Sequence, residues 1–510
     1  MRRKLFSNRF LFLFCLTGML SAPGFSQNRF VRDSLDSYIL RGMKDWNIPG
    51  LAIAIVKDGR TVFMKGYGER DISTHEKVDE NTLFMIASNS KLFTGTALAQ
   101  LEYDRRLSLN DKITKYFPDF QLYDKNTTEL VTIRDMLSHH LGTKTFQGDF
   151  TFWDSRLSRQ EIISRMRYLK PPGLFRQDYG YCNSCFLTAG EIIPKVTGKP
   201  WEVYVYDSIL MPLGMTNTHT LSTGMSQRPN AAHPYTTSFT GTLQAIPYDQ
   251  VDNLGPAGSM LSCVKDLSKW LLLQLDSGRY GGKQILPWAV LNRTRAVGTL
   301  LTSRKSTVYP THFQGYGMGI FVTDYNGRQV YWHTGGAFGF VTNTCFVPEE
   351  NLGITILTNN DNQSFFEQLR YQLLDAYLGV PYTNRNQPSL DRQRQGDAKT
   401  LQEIAGWKAR IKGGKPALPL SAFAGEYDNE LYGSISVKPI DDRLQIRFNS
   451  HSQLAADLQY MDNDEWLMTY NNIAFGIFPV RFKTEGNKVV SVEIKMSDFV
   501  EFDPYLFTKK

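Results

Sequence analysis

At 510 residues the chain is too long for one ordinary domain, and its length allows about two or three. Hydrophobic residues make up 42% and aromatic residues 13%, ample for a large buried core, so the protein is globular. The formal charge of +7 includes four cations and no acid within residues 1–26 and falls to +3 without them. No long Lys/Arg run or basic-aromatic stripe follows, which excludes a nucleic-acid partner.

Arg2, Arg3, Lys4 and Arg9 accompany an apolar run over residues 10–20, and Gly24-Phe25-Ser26 offers small residues for cleavage before Gln27. This pattern predicts a cleaved export signal over residues 1–26 and a periplasmic or secreted mature protein. The run is too short to span a bilayer comfortably, and no later segment reads as a membrane span. Cys15 follows bulky Phe14, a poor match to a lipoprotein processing site. Its loss leaves Cys182, Cys185, Cys263 and Cys345. An exported location permits disulfides, and Cys182-x-x-Cys185 has redox-motif spacing, but no thioredoxin-like strand and helix surround it. The expectation is free thiols or one structural disulfide. No Cys/His cluster has zinc-site spacing and no HExxH occurs, so neither a metal nor another cofactor is predicted.

The chain then begins with a predicted helix over residues 31–46. "IPGLAIAIVKDGRTVFMKGYG" follows as two strands joined by Asp58-Gly59, a strong hairpin turn. Residues 88–103 read as a helix whose apolar face is Leu92, Phe93, Ala97, Leu98 and Leu101. Helical and loop segments continue to about residue 280. Strands return in "YGMGIFVTDYNGRQVYWHTGG", "FGFVTNTCFVP" and "LGITILTNN", with Asn326-Gly327 as a second hairpin turn. An early hairpin and a late meander interrupted by a helical block predict an α/β core beside an all-helical lobe, with a cleft between them. Residues 28–383 form this domain. Residues 384–419 read as a polar linker with a short helix over 398–411, and residues 420–510 as a small β barrel or sandwich.

Within the first long helix, "FMIASNSKLFTGTAL" sets two serines before one lysine. On a helix Ser88 and Lys91, at i and i+3, share a face, whereas Ser90 points about 100° from Lys91. A serine hydroxyl needs a base, and a buried lysine of depressed pKa serves or relays to one. A backbone N–H at the helix N-terminus is available to an oxyanion. S-x-x-K alone is a weak signal, since Ser88 reads equally as an N-cap and Lys91 as a solvated side chain. Two further groups raise it: Tyr181-Cys182-Asn183 just before a helix, and His333-Thr334-Gly335-Gly336 on a strand. Taken singly, Tyr181 reads as a core aromatic, Asn183 as a helix cap and His333 as a packed strand residue. His139-His140 read as structural or loop residues.

Together the three groups, in this order, resemble the penicillin-recognising serine hydrolases, in the branch of class C β-lactamases, D-Ala-D-Ala carboxypeptidases and related esterases. The resemblance covers roughly residues 30–380 and extends to "IPGLAIAIVKDG", "IRDMLSHHLG", "VTGKPWEVYV", "MPLGMTNT", "GPAGSML" and "VPEENLGITILTN". It implies an antiparallel sheet with helices plus an all-helical lobe. It also implies Ser88 as nucleophile, Lys91 as its hydrogen-bonded partner, and Tyr181 as phenolate base and then acid to the leaving group. Asn183 is implied to orient the substrate amide or Lys91. The Ser88 and Gly336 N–H groups are implied to form the oxyanion hole, with His333, Thr334 and Gly335 in substrate binding and Gly335 admitting substrate to the strand edge. Ser90 is expected to support the nucleophile.

The resemblance also bears on substrate. His333 stands where β-lactamases of this family usually carry a lysine, and a mostly neutral histidine suits a substrate carboxylate less well. The expectation is an exported serine hydrolase that forms an acyl-enzyme on a small-molecule or peptide substrate, an ester or a D-amino-acid amide. A D-Ala-D-Ala carboxypeptidase or penicillin-binding protein, a β-lactamase, and an acyltransferase to an alcohol or amine are the alternatives within the class. A catalytically silent ligand-binding homologue is the alternative outside it. If His333 must be protonated to hold an anionic substrate, kcat/KM falls through the histidine pKa. The C-terminal β domain resembles an appendage of uncharacterised hydrolases of this family, and the sequence carries no signal of oligomeric state.

Overall fold

The computed structural model describes residues 28–510, so the predicted export signal, its cut before Gln27 and Cys15 lie outside the described residues. The main sheet holds β1 (Gly50–Lys57), β2 (Arg60–Asp71), β3 (Glu76–Lys77), β4 (Thr299–Thr302) and β5 (Gln314–Tyr316). It continues with β6 (Phe321–Tyr325), β7 (Arg328–Ala337), β8 (Phe340–Val347) and β9 (Leu352–Thr358). The order is β4-β5-β6-β7-β8-β9-β1-β2-β3, with neighbours antiparallel. Asp58 and Gly59 both take positive φ, the backbone that a two-residue hairpin needs.

The early hairpin and the late meander are joined by β1 against β9, with Ile53 opposite Ile356. Between them in sequence lies the helical lobe. Every residue of β1 up to Val56 is buried because both faces of the sheet are covered. Leu51, Ile53 and Ile55 share one core with Phe365, Leu369 and Leu373 of the Phe365–Leu378 helix. Ala52, Ala54 and Val56 belong to a second core, on the side of the Val264–Leu275 helix.

Three elements differ from the sequence reading. The single helix over residues 31–46 is two, Arg29–Asp33 and Leu35–Asp45, because Ser34 leaves helical backbone angles. The helix expected from residue 88 starts at Ser90, after a 3₁₀ turn over Ala87–Asn89. The short helix expected within a linker is a continuous one, Asn386–Ala409. It reads as a linker because only Leu390 and Ile404 of it are buried, which leaves almost no apolar stripe. It lies as a strap across the surface. Asn386 accepts from the Trp46 indole at 2.9 Å near its start, while Ile404 and Trp407 pack with Met461 and Leu467 of the C-terminal domain.

The C-terminal domain is a closed barrel rather than a sandwich. Its strands are β10 (Gly425–Asn429), β11 (Gly433–Ile440), β12 (Arg443–Phe448), β13 (Ala455–Tyr460), β14 (Glu465–Tyr470), β15 (Ile477–Glu485), β16 (Lys488–Ile494) and β17 (Tyr505–Lys509). Pairing of Tyr427 with Lys509 joins β10 to β17 and removes the sheet edges.

The helical lobe drives a side chain into this barrel. Phe150 stacks on His451 at 4.1 Å and on Tyr505 at 5.5 Å between ring centroids and meets Tyr432, Phe448 and Phe475 edge-on or tilted. His451 Nε2 lies 3.0 Å from the Phe150 carbonyl oxygen. Glu501 of the barrel accepts the Gly148 N–H at 2.8 Å and the Tyr432 hydroxyl at 2.7 Å. Burial raises the Glu501 carboxyl to about 7, against the pull of those donors.

Phe150→Ala empties a fully buried aromatic site and is expected to cost about 3–5 kcal/mol, read by denaturant unfolding. Glu501 holds its proton more tightly folded than unfolded, so its contribution to stability falls as pH rises from about 4.5 to about 7. Glu501→Gln is expected to flatten that part of the Tm-against-pH curve, by at most about 3 kcal/mol. An unchanged slope would refute the assignment.

Candidate active site

Ser88 lies in the 3₁₀ turn that enters the Ser90–Tyr103 helix, and the preceding Ala87 has φ of 45°, a left-handed conformation that alanine rarely adopts. The surroundings hold that turn in place. Ser90 Oγ donates to the Ala87 carbonyl at 2.6 Å and accepts from the Met260 N–H at 3.1 Å, so it is bound inward and away from Lys91. Thr342 Oγ1 donates to the Ile86 carbonyl at 3.2 Å and accepts from Asn89 Nδ2 at 3.0 Å. Gly335 brings β7 against the same turn, since a side-chain carbon there would stand 2.0 Å from the Ile86 oxygen. This close approach by itself requires glycine at 335.

Lys91 is completely buried on the first helical turn. Its Nζ lies 3.0 Å from Ser88 Oγ, 2.7 Å from Asn183 Oδ1 and 2.8 Å from the Ala257 carbonyl oxygen. Burial lowers the amine to about 7, with Asp149 and Cys182 opposing. A neutral amine has two N–H donors and one lone pair. The Asn183 and Ala257 oxygens can only accept, so they take the donors and the lone pair is left for the Ser88 hydroxyl.

Asn183 is oriented in turn. Its Nδ2 donates to Asp149 Oδ2 at 2.6 Å, which turns Oδ1 toward Lys91. Burial, with Glu501 nearby, raises the Asp149 carboxyl well above its ordinary range, with Asn183 and Lys91 opposing. Asp149 sits between Gly148 and Phe150, the residues gripped by the barrel.

Tyr181 presents its ring face to Lys91, with Nζ 4.8 Å from the centroid. Its hydroxyl is buried, and the Ser88 hydroxyl beside it favours the anion. Burial nonetheless pushes the phenol well above 10. The phenol therefore keeps its proton in the resting site, and burial opposes the phenolate base that the resemblance implies. His139 stacks on this ring at 4.3 Å, and its Nδ1 accepts the Cys182 N–H at 3.0 Å, which makes it a packing residue. Cys182, Cys185, Cys263 and Cys345 are all free and buried.

The opposite wall is β7. β6 pairs with β7 only as far as Phe321 opposite Trp332, so residues 333–337 have β8 on one side and an open edge on the other. Thr334, Gly335 and Gly336 line the cleft with Ser88 along that edge. The His333 ring is buried, with Nδ1 2.5 Å from the Thr334 carbonyl oxygen and Nε2 2.9 Å from the Tyr316 hydroxyl. A carbonyl only accepts, so Nδ1 carries the proton and Nε2 accepts from the phenol. Burial and then Lys91 lower this ring to about 3. The idea that a protonated His333 holds an anion near neutral pH is thereby corrected.

The cleft encloses about 560 Å³. Among the described residues no group of three or more His, Cys, Asp or Glu could hold a metal ion. The structure thus gathers Ser88, Lys91, Tyr181, Asn183, His333, Thr334, Gly335 and Gly336 at one place, from positions up to 248 apart in sequence. Asp149 and the Ala257 carbonyl escaped the sequence reading. Nothing about Asp149 in sequence distinguishes it, whereas Ala257 falls in "GPAGSML", read there only as framework.

The sequence profile of the Beta-lactamase family matches residues 35–408, and that of a domain of unknown function, DUF3471, matches residues 409–509. An unguisins hydrolase of Aspergillus violaceofuscus is 25% identical over 430 residues, covering 78% of this chain and 75% of that protein. Protein Flp of Staphylococcus aureus is 27% identical over 361 residues, covering 68% of each. The fold is also that of an octameric penicillin-binding protein homologue from Pyrococcus abyssi, with a TM-score of 0.60 at 22% identity over 93% of this chain and 99% of that one. With ordered groups around Ser88, Tyr181 and His333 and a profile match over most of its length, the chain belongs to the beta-lactamase family.

Proposed function

We propose that the protein is an exported serine hydrolase that forms an acyl-enzyme on Ser88 from an ester or a D-amino-acid amide. The observation that carries this reading is the Lys91 amine, 3.0 Å from Ser88 Oγ with its donors already engaged by Asn183 and Ala257. The hydrolase relative supports hydrolysis as the outcome, and residues 1–26 support export to the periplasm or beyond.

In this mechanism Ser88 Oγ attacks the substrate carbonyl carbon while its proton passes to the neutral Lys91 amine. The Ser88 and Gly336 N–H groups stabilise the resulting oxyanion. Collapse breaks the bond to the leaving group, which takes a proton from the Tyr181 hydroxyl, and the Lys91 ammonium returns one to the phenolate. Water then attacks the acyl-enzyme, its proton follows the same groups to Ser88, and the acid product leaves. Thr334 and the open edge of β7 hold the substrate backbone.

Ser88→Ala is expected to abolish labelling by a fluorophosphonate and to lower p-nitrophenyl acetate hydrolysis by roughly a thousandfold or more, while Ser90→Ala keeps the labelling. Labelling that survives in Ser88→Ala and vanishes in Ser90→Ala would overturn the assignment. Because the neutral amine is the base, the labelling rate is expected to rise with pH through about 7, roughly tenfold per unit below it, and to level off above. Lys91→Gln should remove that rise, and His333→Asn should leave its midpoint in place. A flat profile from pH 5 to 8, or one that falls, would refute the role of Lys91.

A further inference from the structure

The barrel reaches into the cleft. The loop over residues 495–504, between β16 and β17, brings Asp498, Phe499 and Phe502 to the lining that contains Ser88. Phe499 stacks on Phe338 at 5.4 Å and faces Trp153 at 6.2 Å, and a side-chain carbon on Gly336 would stand 3.1 Å from its ring. The ring is thus directly beside the edge residue assigned to the oxyanion. Phe502 meets Phe146 at 5.5 Å, which in turn meets Tyr181 at 5.8 Å. Phe502 is 49% exposed, a large apolar side chain with no covering of its own.

The loop is braced. Met496 and Val500 are fully buried in the barrel core. Lys495 Nζ donates to Asp498 Oδ1 at 2.5 Å and to the Glu501 and Phe502 carbonyls at 3.1 and 2.6 Å. Glu501 grips the Gly148 N–H, and Asp503 pairs with Lys144 at 2.8 Å across the domain boundary. Aromatic rings held this firmly form a preshaped wall.

Charge narrows what fits against it. No Lys or Arg is among the described residues that line the cleft, and its one solvent-facing carboxylate, Asp498, is already paired with Lys495. The His333 ring is neutral, as argued above. A carboxylate next to the reacting carbonyl would find no Lys or Arg in the wall, only the Lys91 amine buried behind Ser88 and lowered to about 7, whereas an alkyl or aryl group would find Phe499, Phe502, Trp153 and Phe146.

We propose that the barrel loop is the specificity wall of the cleft, with Phe499 and Phe502 selecting substrates that carry a bulky, uncharged apolar group flanking the scissile carbonyl. This rests on the acyl-enzyme reading of Ser88. Burying a methylene against such a wall raises kcat/KM roughly fourfold.

The experiment is the chain-length dependence of kcat/KM in two ester series, p-nitrophenyl acetate to hexanoate and methyl to hexyl acetate, with fluorophosphonate labelling of Ser88 alongside. The wild-type protein is expected to gain roughly fourfold per methylene in at least one series. Phe499→Ala and Phe502→Ala are expected to reduce that gain below about twofold, and Phe499→Leu to keep an intermediate one. Phe502→Ala, at a half-exposed position, carries the test if Phe499→Ala does not fold, with Tm read for each. Ser88 labelled normally but a wild-type length dependence in the variants, or a stronger preference of the wild-type protein for succinyl over butyryl esters, overturns the wall alone. Absence of Ser88 labelling in the wild-type protein overturns the acyl-enzyme reading and the wall with it.

Discussion

The Lys91 amine sits on the first turn of the Ser90–Tyr103 helix with no exposure to water, and the burial of that one group organises its neighbourhood. A charged ammonium without solvent costs several kcal/mol, and shedding the proton relieves the cost. The pocket therefore stabilises the form of lysine that has a lone pair. Asn183 and Ala257 complete the arrangement by accepting its two N–H groups. Asn183 can do so because its own amide is turned by Asp149, a carboxyl whose charged form burial disfavours. Lys91, Asn183 and Asp149, buried and hydrogen-bonded in series, decide which atom faces Ser88.

The series does not end inside the beta-lactamase-family domain. Asp149 lies on the short turn whose neighbours, Gly148 and Phe150, are held by Glu501 and by the aromatic rings of the barrel. The barrel and the cleft are thus one structural unit around that turn. This coupling accounts for a buried glutamate at a domain junction, a costly choice unless its acceptors are needed for backbone N–H groups that would otherwise lack partners. The same junction presents Phe499 and Phe502 to the cleft, so the appended domain contributes on one side to the orientation of Lys91 and on the other to the shape of the wall.

The open edge of β7 depends on a different constraint. β6 stops pairing at Phe321, so among the described residues the strand beyond Trp332 has no neighbouring strand on the cleft side. That edge comes close to Ser88 only because Gly335 has no side chain to meet Ile86. An open edge is ordinarily a liability, and here it is enclosed by the helical lobe and by the barrel loop, which restrict what can pair with it.

Much of this was legible in the chain itself. Period-two apolar runs and the Asp58-Gly59 and Asn326-Gly327 turns marked the strands, and the ordered groups at Ser88, Tyr181 and His333 marked the site, because local propensity and short spacing are written in consecutive residues. The choice of Ser88 over Ser90 also followed from local geometry, although the turn there is 3₁₀ rather than α-helical. Other features were set by contacts between residues far apart. Only the second half of the Asn386–Ala409 helix was read, because its partners lie on two different domains and leave almost no apolar stripe. How far burial lowers His333 and raises Tyr181, and the part played by Asp149, were invisible because burial and hydrogen-bond partners, not residue type alone, set the protonation of a side chain. The sequence by itself determined the elements and the chemical groups. Only the tertiary structure decided which of those groups lose water, and hence which of them carry a proton.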